Sequence, residues 1–398
     1  MIPYGRQSIS KADIAEVLRV LKSPWLTQGP KVREFEEALA KETGARYAVV
    51  VANGTAALHL ICLALGVEGR DVITSPITFL ATANMVVLSG GKIRFADVDE
   101  ATVNLDPEKV RRAITARTAG IMPVHLAGLP CDMPAFQKLA RRKKLFVVED
   151  ACHALGASYK AGATWHRVGS CAHSDACVFS FHPVKTITTG EGGAITTNRK
   201  DLYEKLLLLR NHGMVKDPLR LKNKDLAPQG STKAGGDTLW YYEMQALGFN
   251  YRMTDIQAAL GLSQLKRLKA MVVRRRQIVS IYNKAFAACA QVCLPLEKKG
   301  FRSAWHLYIL RLRLKQLGKG RTEIFRRLRS RGIGVQIHYI PVHLQPYYRA
   351  QGFRRGDFPA AEKYYEAAIS IPVFPSMRNS EITAVIRTVK KVLAYAAL

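Results

Sequence analysis

Lys185 stands in the run Phe179-Ser180-Phe181-His182-Pro183-Val184-Lys185-Thr186, ahead of Thr188-Thr189-Gly190-Glu191-Gly192-Gly193. A lysine placed after an apolar strand and before a glycine-rich turn is set like an amine that anchors an aldehyde. Such an amine becomes nucleophilic when its pKa is lowered and it is fixed beside the electrophile; pyridoxal phosphate supplies that electrophile and an electron sink.

Other residues suit the same chemistry. The apolar stretch Lys144-Leu145-Phe146-Val147-Val148 runs into Glu149-Asp150, and a carboxylate at a strand end can pair with a protonated pyridine nitrogen, so Asp150 is the candidate for that role. Arg46 to Val51 reads as a strand, and Ala52-Asn53-Gly54-Thr55-Ala56-Ala57-Leu58 as a small-residue turn opening a helix. Free N–H groups at a helix start bind phosphate; Thr55 and Ala56 are the expected phosphate contacts, with Ser180 as a third. Phe79, in Ser75-Pro76-Ile77-Thr78-Phe79-Leu80, is an aromatic next to a helix start and a candidate to cover one face of a flat cofactor.

The elements that must position these residues alternate. Strand-like runs at 48–51, 71–74, 92–96, 120–124, 145–148, 176–181 and 193–197 are separated by amphipathic helical patterns. This predicts an α/β fold with a mainly parallel, doubly wound sheet between helices, its ligands gathering at strand C-terminal ends. The expected division is a large domain with an N-terminal arm, 1–255, and a linking helix with a small C-terminal α/β domain, 256–398. One long helix is expected over 255–279, strands over 307–312 and 334–339, and helices over 321–331 and 380–393. Residues 213–247 are polar and glycine-containing, and a flap over the active site is expected there.

Composition narrows the class. The chain has 398 residues, 48% hydrophobic and 23% charged, as in an ordinary globular enzyme. The opening Met1-Ile2-Pro3-Tyr4-Gly5-Arg6 has no signal-segment pattern, and the apolar stretch 47–67 is interrupted by Asn53, Gly54, Thr55 and His59, so no membrane span or membrane partner is expected. Seven cysteines without a Cys-x-x-Cys pair fit reduced thiols in a cytoplasm and no metal site. The net charge of +29 gathers in Arg141-Arg142-Lys143-Lys144, 266–276 and 311–331. Interleaved apolar residues at helical spacing make these runs solvated helix faces, so no nucleic-acid partner is expected, and the positive field suits an anionic substrate.

With the segments Leu26-Thr27-Gln28-Gly29-Pro30, Asn53 to Leu58, Pro76 to Met85, Asp97-Val98-Asp99, Pro123-Val124-His125, Glu149 to Gly156, Phe179 to Gly193 and Gly248 to Met253 in this order, the chain resembles the DegT/DnrJ/EryC1/StrS nucleotide-sugar aminotransferases, over nearly its whole length. The resemblance implies a fold-type I aminotransferase, dependent on pyridoxal 5'-phosphate, with Lys185 and Asp150 as catalytic residues. It further implies cofactor contacts from His153 and, across a homodimer interface, from Asn250 and Arg252, and substrate contacts from Thr27, His338 and Tyr339. Ser75 to Met85, Gly261 to Lys266, His306-Leu307-Tyr308 and Gln336 to Tyr339 look most like the pseudaminic acid branch. That similarity implies a UDP-linked 4-keto-6-deoxy-N-acetylhexosamine as acceptor and L-glutamate as donor. A GDP- or dTDP-linked keto sugar is the alternative, and a regulatory or nucleic-acid-binding protein that keeps the cofactor is a more distant one.

Overall fold

The computed structural model describes residues 1–223, 225–228 and 237–397. Its centre is a seven-stranded sheet running from Tyr47–Val51 at one edge through Gly193–Thr197, Ala176–Ser180, Phe146–Asp150, Thr118–Met122 and Asp71–Thr74 to Lys92–Phe95. Gly193–Thr197 is antiparallel to both neighbours, and the other pairings are parallel. The seven expected strands and the mainly parallel α/β sheet are all present.

Strand alternation explains the layering. Val50 points into a core with Phe35, Leu39, Phe136 and Phe179, whereas Val49 and Val51 point into a core with Leu60, Ile61, Val86 and Leu206. A sheet buried on both faces reads as a continuous β-branched run, which is what Tyr47–Val51 and Phe146–Asp150 show. Helices over Lys11–Leu21, Pro30–Thr43, Gly54–Leu65, Leu80–Leu88, Met133–Lys143 and Lys200–Arg210 supply the flanking layers.

Beyond residue 255 the expected single helix is two, Asp255–Lys266 and Leu268–Phe286, parted at Arg267 (φ −102°, ψ 0°). Thr254 and Gln257 form a capping box at the first. Ile278, Tyr282 and Phe286 of the second join Tyr308, Leu310, Leu328 and Val389 in a further core around an antiparallel three-stranded sheet. The strand expected over 334–339 does not form: Gln336 makes one isolated bridge to Ser370, and Gly334 instead donates to the Ile2 carbonyl at 2.7 Å. Its backbone is thus divided, Gly334 bonding the N-terminal arm and Gln336 exchanging bonds with Ser370.

Part of the expected flap, residues 229–236, lies outside the described residues. The described remainder forms a two-residue ladder, Met214–Val215 against Glu243–Met244, and the Glu243 carboxylate accepts from the N–H groups of Lys222 and Asn223.

Candidate active site

Lys185 is reached because the chain beyond Ala176–Ser180 folds back on its own strand. Phe181 is fully buried; its N–H bonds the Gly192 carbonyl at 2.8 Å, and its carbonyl accepts from the Thr189 N–H and the Thr188 hydroxyl at 3.0 Å each. Within this staple the Lys185 N–H bonds the His182 carbonyl at 2.9 Å. The loop closes through Gly190 at φ +81°, a left-handed conformation that favours glycine. Gly193 then lies so close to the next turn that a Cβ there would stand 2.5 Å from the backbone of Asn53. That contact sets the start of the helix Gly54–Leu65 beside Lys185.

A cavity of about 670 Å³ opens at these strand ends, lined by Thr55, Phe79, Asp150, His153, Ser180, Lys185, His338 and Tyr339 among others. These eight sequence-selected residues thus meet in one place although they come from five segments, whereas Ala56 does not line the cavity. Asn53 caps the helix start by accepting from the Ala56 N–H at 2.8 Å. Ala56 therefore has no free donor, while Thr55 is exposed at the cavity. Phe79 is 57% exposed, an open aromatic face beside the lysine.

Asp150 is buried, and Thr82 donates to its Oδ2 at 2.6 Å while the Cys152 N–H reaches its Oδ1 at 3.2 Å. Thr78 bonds Thr82 at 2.7 Å, so the carboxylate is oriented by a hydroxyl relay. Behind it, buried His125 pairs with Glu149 at 2.9 Å. Burial lowers the Lys185 amine below its ordinary value, with Cys152 and Asp150 opposing the shift. Desolvation, aided by the Lys185 charge, holds His153 and His306 well below the ordinary imidazole range and brings His338 to about 3. The three imidazoles are therefore neutral. His153 Nε2 meets the Tyr339 hydroxyl at 3.0 Å, and His338 Nδ1 meets Ser370 Oγ at 2.8 Å.

Thr27, Asn250 and Arg252 do not line this cavity. Thr27 bridges Thr254, Asn250 bridges Asn211, and Arg252 donates to Asn211 Oδ1 at 2.6 Å beside a second cavity. No described residue of 213–247 lines the Lys185 cavity either, and Trp240 is 77% exposed, so the described part of the expected flap does not cover this chain's own site. Thr82, His306, Gln336 and Gln345 belong to the site's wall or its supports and carried no assigned role in the sequence. Thr82 had a signal: it lies one helical turn after Thr78 at the same helix start.

The donor set fits pyridoxal phosphate. A desolvated lysine, a buried carboxylate, a helix start with an exposed hydroxyl and an open aromatic face surround one cavity of the right size, and His153 Nδ1 is buried with no partner among the described residues. A mainly parallel α/β sheet carrying these groups at its strand ends defines the class, a pyridoxal-phosphate-dependent aminotransferase. The chain belongs to the DegT/DnrJ/EryC1/StrS aminotransferase family, whose model matches residues 7–390. It is 41% identical to the spore coat polysaccharide biosynthesis protein SpsC of Bacillus subtilis, covering 98% of this chain and 97% of SpsC. Among solved structures it is similar to Helicobacter pylori PseC, an aminotransferase involved in the biosynthesis of pseudoaminic acid (33% identity, 99% of each chain, TM-score 0.88). It is also similar to Spr1654 of Streptococcus pneumoniae in its PLP-form (29% identity, 99% of each chain, TM-score 0.88). A keto sugar and an amino donor are therefore the substrates, and the enzyme is a sugar aminotransferase.

Proposed function

We propose that the enzyme transfers the amino group of L-glutamate to C4 of a UDP-linked 4-keto-6-deoxy-N-acetylhexosamine, giving UDP-4-amino-4,6-dideoxy-N-acetyl-β-L-altrosamine, a step of pseudaminic acid biosynthesis. The observation that carries the reaction type is the convergence of Lys185 and Asp150 on one cavity; the likeness to PseC supports the sugar. The bound cofactor supplies an aldehyde for the incoming amine and a ring that accepts the electrons released with the substrate proton. Lys185 would hold the cofactor covalently and would move the proton at the reacting carbon. Its desolvation lowers the cost of the uncharged, basic form of the amine. Asp150, fixed by Thr82, would pair with the ring nitrogen. Thr55 and Ser180 would hold the phosphate, and Phe79 and His153 would contact the ring. His338 and Tyr339 face the sugar.

We also propose a homodimer with shared sites. Asn250 and Arg252 stand away from their own chain's cavity, as expected if they serve a partner's. Ile14, Leu18 and Leu21 form an apolar stripe along one helix, 48–53% exposed, continued by Trp25 and Leu26. No arginine lines the Lys185 cavity among the described residues, so the cations for a diphosphate or a carboxylate come from the second copy. The two units of each chain, 1–255 and 256–398, meet at the cavity, which takes His306, Gln336 and His338 from the second.

A second reading has its own observation. The relative with higher identity, SpsC, is named for spore coat polysaccharide, which favours another nucleotide-linked keto sugar. The deciding experiment incubates purified enzyme with glutamate and UDP-, GDP- and dTDP-linked 4-keto sugars and measures oxoglutarate. Higher kcat/KM for a GDP or dTDP sugar overturns the acceptor and leaves the reaction type standing.

A further inference from the structure

Arg274-Arg275-Arg276 reads in sequence as part of a solvated basic face, yet its middle member is turned inward. Arg275 is 1% exposed. Its Nη1 donates to the carbonyls of Trp305 at 3.3 Å, His306 at 3.1 Å and Val373 at 2.7 Å, and its Nε has no partner among the described residues. Arg276 pairs with Glu297 and Arg274 bonds Asn379, whereas Arg275 has no carboxylate partner among the described residues. Burial lowers its pKa to about 10, so it remains a cation at neutral pH. Three neutral carbonyls compensate only part of the cost of such a charge. An apolar residue would fill the space at less cost.

What the guanidinium holds is the segment entering the strand Tyr308–Leu312. On the other side this segment is tied to the large sheet's turn, through Ala304 N–H to the Gly128 carbonyl at 3.0 Å and Leu307 N–H to the Ala127 carbonyl at 3.3 Å. Held from both sides, His306 lays its ring 4.4 Å from that of His153, inclined by 39°. Both rings are buried, and each leaves its Nδ1 without a partner among the described residues.

We propose that Arg275 is a positioning residue for the cofactor site: by clamping the Trp305 and His306 carbonyls to Val373, it presses the His306 imidazole against His153 and fixes the plane in which His153 meets the cofactor ring. This rests on the placement of the cofactor at Lys185. His153 is oriented by Tyr339, through the hydroxyl at Nε2 and a ring inclined by 22°, and by the His306 ring. Removing the His306 ring leaves Tyr339 alone to set its plane. Two neutral imidazoles in contact pack without charge repulsion, and the low proton affinity of both rings keeps the pair neutral.

The test prepares wild type, Arg275→Met, His306→Ala, His306→Phe and the double variant Arg275→Met/His306→Ala. The readouts are the dissociation constant for added pyridoxal phosphate and the circular dichroism of the bound cofactor's visible band, which reports the ring's setting. Arg275→Met and His306→Ala should each weaken cofactor binding by roughly tenfold and change the dichroic band alike, as loss of an orienting group does. The double variant should be no worse than the poorer single one, because both act through one contact. His306→Phe, which keeps a flat ring against His153, should stay within about threefold of wild type. Wild-type affinity and dichroism in Arg275→Met, or multiplying effects in the double variant, overturn the proposal. If Arg275→Met does not fold, equal cofactor affinity in His306→Ala and His306→Phe overturns it. Borohydride trapping of the wild-type cofactor separates the two claims: an adduct on Lys185 with unaffected variants removes only the positioning role, and an adduct on another lysine removes both.

Discussion

Replacing His338 by glutamine should make the protein less sensitive to acid. His338 is 6% exposed, and its proton affinity falls from an ordinary 6.5 to about 3 because its burial and the Lys185 charge disfavour the cation. In the unfolded chain the ring takes up its proton below about pH 6.5. A histidine whose folded pKa is the lower one contributes stability that is fully present above the unfolded value and is lost as pH falls towards the folded value. At about pH 5 the unfolded state is favoured by 1.36 kcal/mol for each of roughly 1.5 pH units, or about 2 kcal/mol, a penalty nearly absent at pH 7. Glutamine keeps a hydrogen-bonding group for Ser370 and has no titrating proton; its own cost should be about 1 to 2 kcal/mol at either pH. Urea unfolding of cofactor-free protein at about pH 7 and about pH 5 measures both states without ligand linkage. The deficit of His338→Gln relative to wild type should shrink by about 2 kcal/mol, and it can change sign. A deficit that stays constant between the two pH values would refute the reasoning, because the ring would then be protonated equally in both states.

Gly193→Ala should cost about 3 kcal/mol and release the cofactor, since the new Cβ meets the backbone of Asn53, the cap of the helix Gly54–Leu65, at 2.5 Å; an unchanged urea midpoint with full cofactor content would contradict this. Burial alone would raise the Asp13 carboxyl, but hydrogen bonds from Ser263 and Ser10 and the Arg267 charge hold it below its usual range. Asp13→Asn should therefore destabilise by about 2 kcal/mol at neutral pH, and the difference should vanish as pH falls through that lowered pKa and wild type loses the same anion. Lys185→Ala and Asn250→Asp should each be inactive alone, and mixing them under subunit exchange should restore some turnover, because one hybrid site has both native residues. Proven heterodimers without activity would count against shared sites.

The large sheet was legible because a strand buried on both faces leaves a short β-branched run with glycine or polar residues at its end, and the residues carrying the chemistry occupy those ends. Asp150 ends such a run and Thr55 and Lys185 lie just beyond theirs, so a local pattern predicts a meeting point 130 residues wide in sequence. The helix break at Arg267 was not legible, since apolar spacing continues through it. Nor was the irregular course of 334–339: its alternating pattern suits a strand, but its backbone is divided, Gly334 bonding the N-terminal arm and Gln336 alone pairing with Ser370.

Side chains that act from the second unit were hidden for a different reason. His306 comes just before a strand rather than after one, so no rule about strand C-terminal ends selects it; it reaches His153 only because the 304–307 segment is tied to the turn at Ala127 and Gly128. Arg275 is hidden more deeply still, since a basic triplet on an amphipathic helix gives no sign that its middle member faces inward. The helical angle between neighbours, 100° per residue, sends three successive arginines to three environments, and only the packing of the C-terminal strand and the segment after Ile371 decides which of them is buried. Composition counted Arg275 with the solvated charges. The structure buries it instead, with its guanidinium on the carbonyls of Trp305, His306 and Val373.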